Sequence, residues 1–170
     1  MQKILITGNA GSGKTTLSYQ IAKRLCLHKL ICLDKIVWKP GWVLSTKSER
    51  ELAFAEITNT QNWIVDGVSK TLLEAADTII FLDYPRTICY WRVFCRNIKY
   101  LFRSRPELPE NCSEILAVKK LLKIIWNFEK DVKPIILKHI NENLNIKNVF
   151  HITCKRYDKS RLFEILSGKK

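Results

Sequence analysis

The chain has 170 residues, 46% of them apolar, with six glycines and five prolines, a composition that suits one folded domain and excludes a long disordered tail. Lysine and arginine number 29 against 16 aspartates and glutamates, and the net charge of +13 favours anionic partners such as nucleotides, nucleic acid or an anionic membrane surface. No run reaches the roughly 20 uninterrupted apolar residues of a membrane span, and the six cysteines lack C-x-x-C or Cys/His ligand spacing, so they are expected reduced and mostly buried in a cytoplasmic protein whose first residues enter a strand directly.

The first apolar run, residues 3–8, predicts a strand, and residues 13–27, with Leu17, Ile21, Ala22 and Leu25 at helical spacing, predict a helix. Between them, Gly8-Asn9-Ala10-Gly11-Ser12-Gly13-Lys14-Thr15 fits G-x-x-x-x-G-K-[ST], the phosphate-cradling P-loop. The glycines let the backbone curl so that successive N–H groups point at phosphate oxygens, and the helix start adds its positive end. Lys14 is expected to reach the β- and γ-phosphates, the Thr15 hydroxyl to ligate Mg²⁺, and Thr16 to complete the loop's contact with nucleotide. The expected ligand is a nucleoside triphosphate, ATP with Mg²⁺.

Strand two is predicted over residues 30–34, ending in Asp34, followed by a loop through Trp42. Asp34 could orient or deprotonate an acceptor hydroxyl. Trp38 and Trp42 could stack on a base or sugar or pin the loop to the core, and Lys35 and Lys39 could bind an anion. A helix capped by Ser45 or Thr46 runs to about 58, strand three covers 63–66, and a short helix lies near 72–75. Asp66, before Gly67, is placed to hold Mg²⁺ through water, the alternative being a plain Asp-Gly turn.

Strand four is predicted over 78–83; its terminal Asp83 is the rival metal carboxylate or a structural residue of the turn into the next helix. That helix, about 86–102, carries an apolar stripe of Ile88, Trp91, Cys95, Ile98 and Phe102, expected as its buried face. Arg92, Arg96, Lys99 and Arg103 form a second stripe; arginines four apart repel each other and suit an anionic partner. Residues 103–112 read as a loop, 114–128 and 132–143 as helices with Pro134 in the first turn of the latter, 148–153 as strand five and 160–166 as a last helix. The six lysines between 119 and 138 read as a solvated face.

Strands separated by helices imply right-handed crossovers. The fold class expected is therefore α/β: a three-layer P-loop NTPase fold with a five-stranded parallel sheet, helices on both faces, and a small lid near 97–118 within a single domain spanning 1–170. Ligands of such sheets bind at the carboxyl ends of the strands, where Gly8, Asp34, Asp66 and Asp83 stand.

Taken together, these segments resemble the adenylate-kinase-like branch of P-loop kinases. The resemblance rests on the P-loop, Asp66-Gly67, and Phe81-Leu82-Asp83-Tyr84-Pro85 followed by Arg92 and Arg96. It implies that Arg92 packs on adenine, Arg96 reaches phosphates, Asp66 serves Mg²⁺, and the loop at 153–157 contacts adenine through its backbone. Leu33-Asp34-Lys35 with Trp38 and Pro40-Gly41-Trp42, Trp63-Ile64-Val65-Asp66-Gly67 and Leu82-Asp83-Tyr84-Pro85-Arg86 are most similar to the DNA topology modulation proteins within that branch. Where nucleoside monophosphate kinases follow Asp-Gly with Phe-Pro-Arg, this chain has Val68-Ser69-Lys70.

The expectation is a kinase moving the γ-phosphoryl group of Mg-ATP to a small nucleoside-like, nucleotide-like or hydroxyl acceptor held by the 34–42 loop, with Lys14, Asp34, Arg92 and Arg96 as catalytic residues and Arg103 and Arg105 closing over the donor. Phosphate-bearing or nucleoside-like acceptors are expected to fit the cationic cleft best. The alternatives are an ATP-binding protein acting on DNA through its charge, and a nucleotide sensor without catalysis.

Overall fold

In chain order the first half comprises β1 (Lys3–Gly8), α1 (Lys14–Leu25), β2 (Leu30–Cys32), α2 (Asp34–Val37), β3 (Trp38–Lys39), a 3-10 turn (Pro40–Trp42), β4 (Val43–Leu44) and α3 (Lys47–Asn59). The second half comprises β5 (Trp63–Asp66), α4 (Lys70–Ala75), β6 (Thr78–Leu82), α5 (Arg86–Lys99), α6 (Glu114–Asp131), α7 (Lys133–Asn143) and β7 (Asn148–Ile152). The computed structural model describes residues 3–25, 29–99, 114–153 and 162.

Five strands form one parallel sheet in the order β2-β5-β1-β6-β7, and β3 and β4 form a separate antiparallel pair. β1 lies at the centre, with Leu5 opposite Val65 on one side and Ile79 on the other. Because side chains alternate across a strand, each strand feeds two cores. Ile4, Ile6, Ile64, Ile80 and Leu82 face Leu17 and Ile21 of α1, Cys89 and Val93 of α5, and Ile125 of α6. Leu5, Trp63, Val65, Ile79 and Phe81 face Ile57 of α3, Leu72 and Leu73 of α4, and Ile136 and Ile140 of α7. The expected layering of helix, parallel sheet and helix is therefore realised. The apolar strand runs follow from burial on both faces.

Three local expectations are corrected. Strand two stops at Cys32, and Asp34 opens α2, because the Ile36 and Val37 amides donate back to the Leu33 carbonyl and curl the chain into a single helical turn. The expected loop through Trp42 is that turn followed by a small hairpin, Trp38 opposite Leu44 and Lys39 opposite Val43. Most clearly, the buried face of α5 is Cys89 and Val93, while Trp91 is 65% and Ile98 60% exposed. The helix is apolar around much of its circumference, so periodicity fits two stripes; the packing partner selects the one with the smaller side chains, which lets the helix approach the P-loop residue Ala10.

Thr46, of the two candidate caps, starts α3: its hydroxyl accepts from the Glu49 amide at 3.2 Å, and the Glu49 carboxylate accepts from the Thr46 amide at 2.8 Å, a reciprocal capping box. Glu49 also pairs with Lys39 at 2.7 Å, which ties the hairpin to this helix. The expected lid falls mostly on residues outside the described ones; its described ends, 97–99 and 114–118, are helical. The expected last helix lies outside them too, except Leu162, which is helical and buried in the α1 face of the core. Of the cysteines described, Cys89 is buried, Cys32 half-buried and Cys95 exposed, all as free thiols.

Gly8 ends β1 with φ +147°, and a Cβ there would lie 2.5 Å from the Leu82 carbonyl of the neighbouring strand. Gly41 has φ +74° but nothing within 4 Å of a Cβ. Gly8→Ala is therefore expected to destabilise by about 3 kcal/mol or more, and Gly41→Ala by only about 1 kcal/mol. Denaturant midpoints followed by tryptophan fluorescence compare the two directly.

Candidate active site

The P-loop joins the centre of the sheet to α1. Within it the Ser12 amide donates to the Asn9 carbonyl at 3.2 Å, closing a turn, and the Leu17 amide donates to the Gly13 carbonyl at 3.1 Å, starting the helix. The amides of the first helical turn, from Lys14 to Thr16, have no acceptor within the helix by geometry. Two outside elements hold the loop. The buried Asn9 side chain accepts from the Ala10 amide at 2.8 Å and donates to the Ile125 carbonyl of α6 at 3.1 Å. Arg92 of α5 donates to the Ser12 carbonyl at 2.8 Å and lies 4.6 Å over the Tyr84 ring. Arg92 thus braces the loop as well as facing the cavity.

Lys14 folds back over its own loop, donating to the Gly8 carbonyl at 3.0 Å and the Asn9 carbonyl at 2.8 Å. Burial draws its pKa down, and the carboxylates of Asp34 and Asp66 oppose that shift. Asp66 is 2% exposed at the end of β5, and neither of its carboxylate oxygens has a hydrogen-bond partner. Its pKa is raised, chiefly by burial; the Thr15 hydroxyl and the Cys32 thiol, which face the carboxylate as donors without reaching hydrogen-bond geometry, and the Lys14 ammonium pull the other way. Burial with the two neighbouring aspartates pushes the Cys32 thiol up, so it stays protonated and neutral.

A buried carboxylate without hydrogen bonds is costly unless something cationic completes it. Thr15 and Asp66 together offer a hard hydroxyl and a hard carboxylate oxygen, the donor set Mg²⁺ takes when phosphates and water supply the rest. Among the described residues no group of three or more His, Cys, Asp or Glu is placed to hold a metal by itself. These residues fit a cation that arrives with its phosphate.

A cavity of about 940 Å³ opens over this floor. Gly8, Ala10, Gly11, Gly13, Lys14, Thr15 and Thr16 form its base, Asp34 and Asp66 stand at the strand ends, and Arg92 and Arg96 come from α5. Asn9 and Ser12 are buried behind the loop at 2% and 0% exposure, where they shape it from within. Trp38 and Trp42 line the opposite side, half-buried, their rings edge to face at 5.3 Å. Trp42 has φ +62°, an unusual conformation for an aromatic residue that turns the chain at the cavity mouth.

Asp83 stands elsewhere. One oxygen pairs with Lys133 at 2.7 Å and the other with His151 at 2.9 Å, so it clasps α7 and β7 to the end of β6. Lys35 and Lys39 do not line the cavity, and Lys39 is engaged with Glu49. The cations on that side are instead Lys120 and Lys123 of α6, which the sequence reading assigned to a solvated face. Their helical spacing placed them on one face; nothing local said what that face meets. Of the remaining expectations, Thr153 is exposed, and residues 154–157, Arg103 and Arg105 lie outside the described residues.

No family model matches the chain, and no curated protein matches it. Among solved structures, the chain is similar to a shikimate kinase from Acinetobacter baumannii in complex with shikimate, at 18% identity over 98% of this chain and 93% of that one, with a TM-score of 0.54. It is also similar to a gluconokinase from Sinorhizobium meliloti 1021, at 16% identity over 98% of this chain and 90% of that one, with a TM-score of 0.51. At such identities the likeness shows the fold: the five-stranded parallel sheet with flanking helices is shared end to end.

Proposed function

We propose that this chain is an ATP- and Mg²⁺-dependent P-loop kinase that phosphorylates a hydroxyl of a small acceptor, within one domain whose lid includes residues 97–118. The observation that carries the reading is Asp66, a buried carboxylate with no hydrogen bond, beside Thr15 and Lys14 at the floor of the large cavity. The cavity, about 940 Å³, lies at the upper end of the range for small-ligand pockets, and it runs from the P-loop to Trp38 and Trp42. The shared fold with a shikimate kinase and a gluconokinase supports the same class of reaction.

Lys14 would exchange two neutral carbonyls for anionic phosphate oxygens, and such charge-assisted bonds are about twice as strong as neutral ones. Thr15 and Asp66 would hold the metal, which supplies charge neutralisation between the β- and γ-phosphates. Asp34, across the cavity floor, would orient the acceptor hydroxyl and take its proton as the new P–O bond forms and the bond from the γ-phosphorus to the bridging oxygen breaks, releasing ADP. Arg92 and Arg96 would face the donor's phosphates and base. Arg92, supported from behind by the buried Tyr84 ring, would pack on the adenine.

Coupled ADP release across a panel of sugars, sugar acids, nucleosides and small alcohols tests this reading. At least one acceptor is expected to accelerate turnover well above hydrolysis by water; turnover that no acceptor accelerates overturns it. With such an acceptor, Asp34→Asn is expected to lower acceptor-dependent kcat by about 100-fold or more, while slow hydrolysis by water persists. Equal loss of both rates would instead assign Asp34 to the nucleotide.

A further inference from the structure

The lysine-rich stretch from 119 to 138 is not uniformly a solvated face. α6 turns Lys120, Lys123, Ile124, Asn127 and Asp131 to the cavity. Lys120 and Lys123 are three residues apart, neighbours on one helix face, and like charges so placed repel each other. Among the described residues neither has a carboxylate partner. Asp131, on the same face, lies eight residues beyond Lys123, about 12 Å along the axis and too far for an ion pair. The acidic groups at the floor, Asp34 and Asp66, act on Lys14.

One contact fixes where this charge sits. The Lys120 ammonium lies 3.8 Å over the Trp38 ring, a cation–π contact that positions the cation without neutralising it. Trp38 follows α2, and Asp34 is the first residue of that helix, so the two are separated by about 6 Å along the chain axis. Asp34, a carboxylate suited to a hydroxyl, and the two ammonium groups without a carboxylate partner among the described residues therefore line the same cavity, with Trp38 beside both.

Resting on the kinase reading above, we infer that the acceptor carries an anionic substituent, a carboxylate or a phosphate, bound by Lys120 and Lys123 while its reacting hydroxyl meets Asp34. The same cavity then discriminates by charge. A neutral analogue leaves the two exposed ammonium groups to water, whereas an acid offers both charge-assisted hydrogen bonds. Trp38 supplies the apolar wall against which the acceptor's carbon skeleton rests.

The test measures binding, so that it does not depend on turnover. Tryptophan fluorescence titrations with Mg²⁺ and a non-hydrolysable ATP analogue compare matched pairs: shikimate with its methyl ester, gluconate with glucose, and glycerol 3-phosphate with glycerol. At least one acid is expected to bind about ten-fold or more tightly than its neutral mate; which pair responds separates carboxylate from phosphate. The double variant Lys120→Met, Lys123→Met is expected to weaken that acid by about ten-fold or more, and Lys120→Arg, Lys123→Arg to keep it within about three-fold. Affinity for the ATP analogue should stay the same in both variants. Neutral mates binding as well as acids, full acid affinity in the methionine variant, loss of the analogue's affinity in that variant, or no acid binding at all would each overturn the inference. The kinase reading is judged separately, by acceptor-dependent ADP formation.

Discussion

Lys14→Ala is expected to lower ATP turnover by about 100- to 1,000-fold, the range seen when one donor aimed at developing charge is removed from a preorganised site. The loss should appear in kcat as well as in kcat/KM for ATP, because the ammonium meets more charge on the phosphates in the transition state than in the ground state. The fold is expected to survive. The ammonium now held by the Gly8 and Asn9 carbonyls is desolvated, so its removal relieves one cost; the Asn9 carbonyl keeps the Ser12 amide as a partner, and the Gly8 carbonyl, at the base of the cavity, can take water. Lys14→Arg is expected to rescue poorly, since a branched planar guanidinium cannot occupy the space of a compact ammonium between those two carbonyls. ADP release and a thermal melt, run on the same preparations, check both halves. Unchanged turnover in a folded Lys14→Ala protein would remove the foundation of the functional reading.

The second large effect separates activity from stability at Asp66. Asp66→Asn is expected to reduce Mg²⁺-dependent turnover by about 10- to 100-fold, as loss of a group that orients a metal does. In metal-free buffer the same variant should be more stable than the parent at neutral pH, seen as a higher urea midpoint. The reason is the raised pKa of this carboxyl in the folded protein. Between the ordinary aspartate value and the raised folded value, the native state binds more protons than the unfolded one, so stability falls as pH rises through that window. Above it, the full cost of an ionised buried carboxylate is present. The asparagine variant should lack this slope in urea titrations between pH 4 and neutrality, and Mg²⁺ with nucleotide should diminish it in the parent. A parent protein whose stability rises across that window would contradict the assignment of Asp66 as an uncompensated carboxylate.

Much of the site's floor was legible from local pattern. Gly8 to Thr16 are contiguous, and what they do depends on backbone curvature that glycine spacing encodes directly. Asp66 could be nominated because it ends an apolar run, and the structure added the decisive detail that both its oxygens are buried without partners. Asp83 read in sequence as a rival metal carboxylate or a structural residue of the turn; its oxygens are occupied by Lys133, 50 positions on, and His151, 68 positions on. No window of sequence around Asp83 contains either residue.

The α5 helix shows the same limit from the side of packing. Its sequence supports two apolar stripes, and only the neighbour decides between them; Cys89 and Val93 go inward, and Trp91 remains 65% exposed. Lys120 and Lys123 belong to a helix some 100 residues from the P-loop, and their role is set by Trp38 and the cavity wall opposite. Sequence alone therefore determined the elements, their alternation and the phosphate loop, because dihedral preference, burial period and glycine placement act over a few neighbouring residues. Tertiary structure alone decided which carboxylate stays unpartnered, which helix face is buried and which cations line the cavity, because those depend on contacts between residues that only chain crossing brings together.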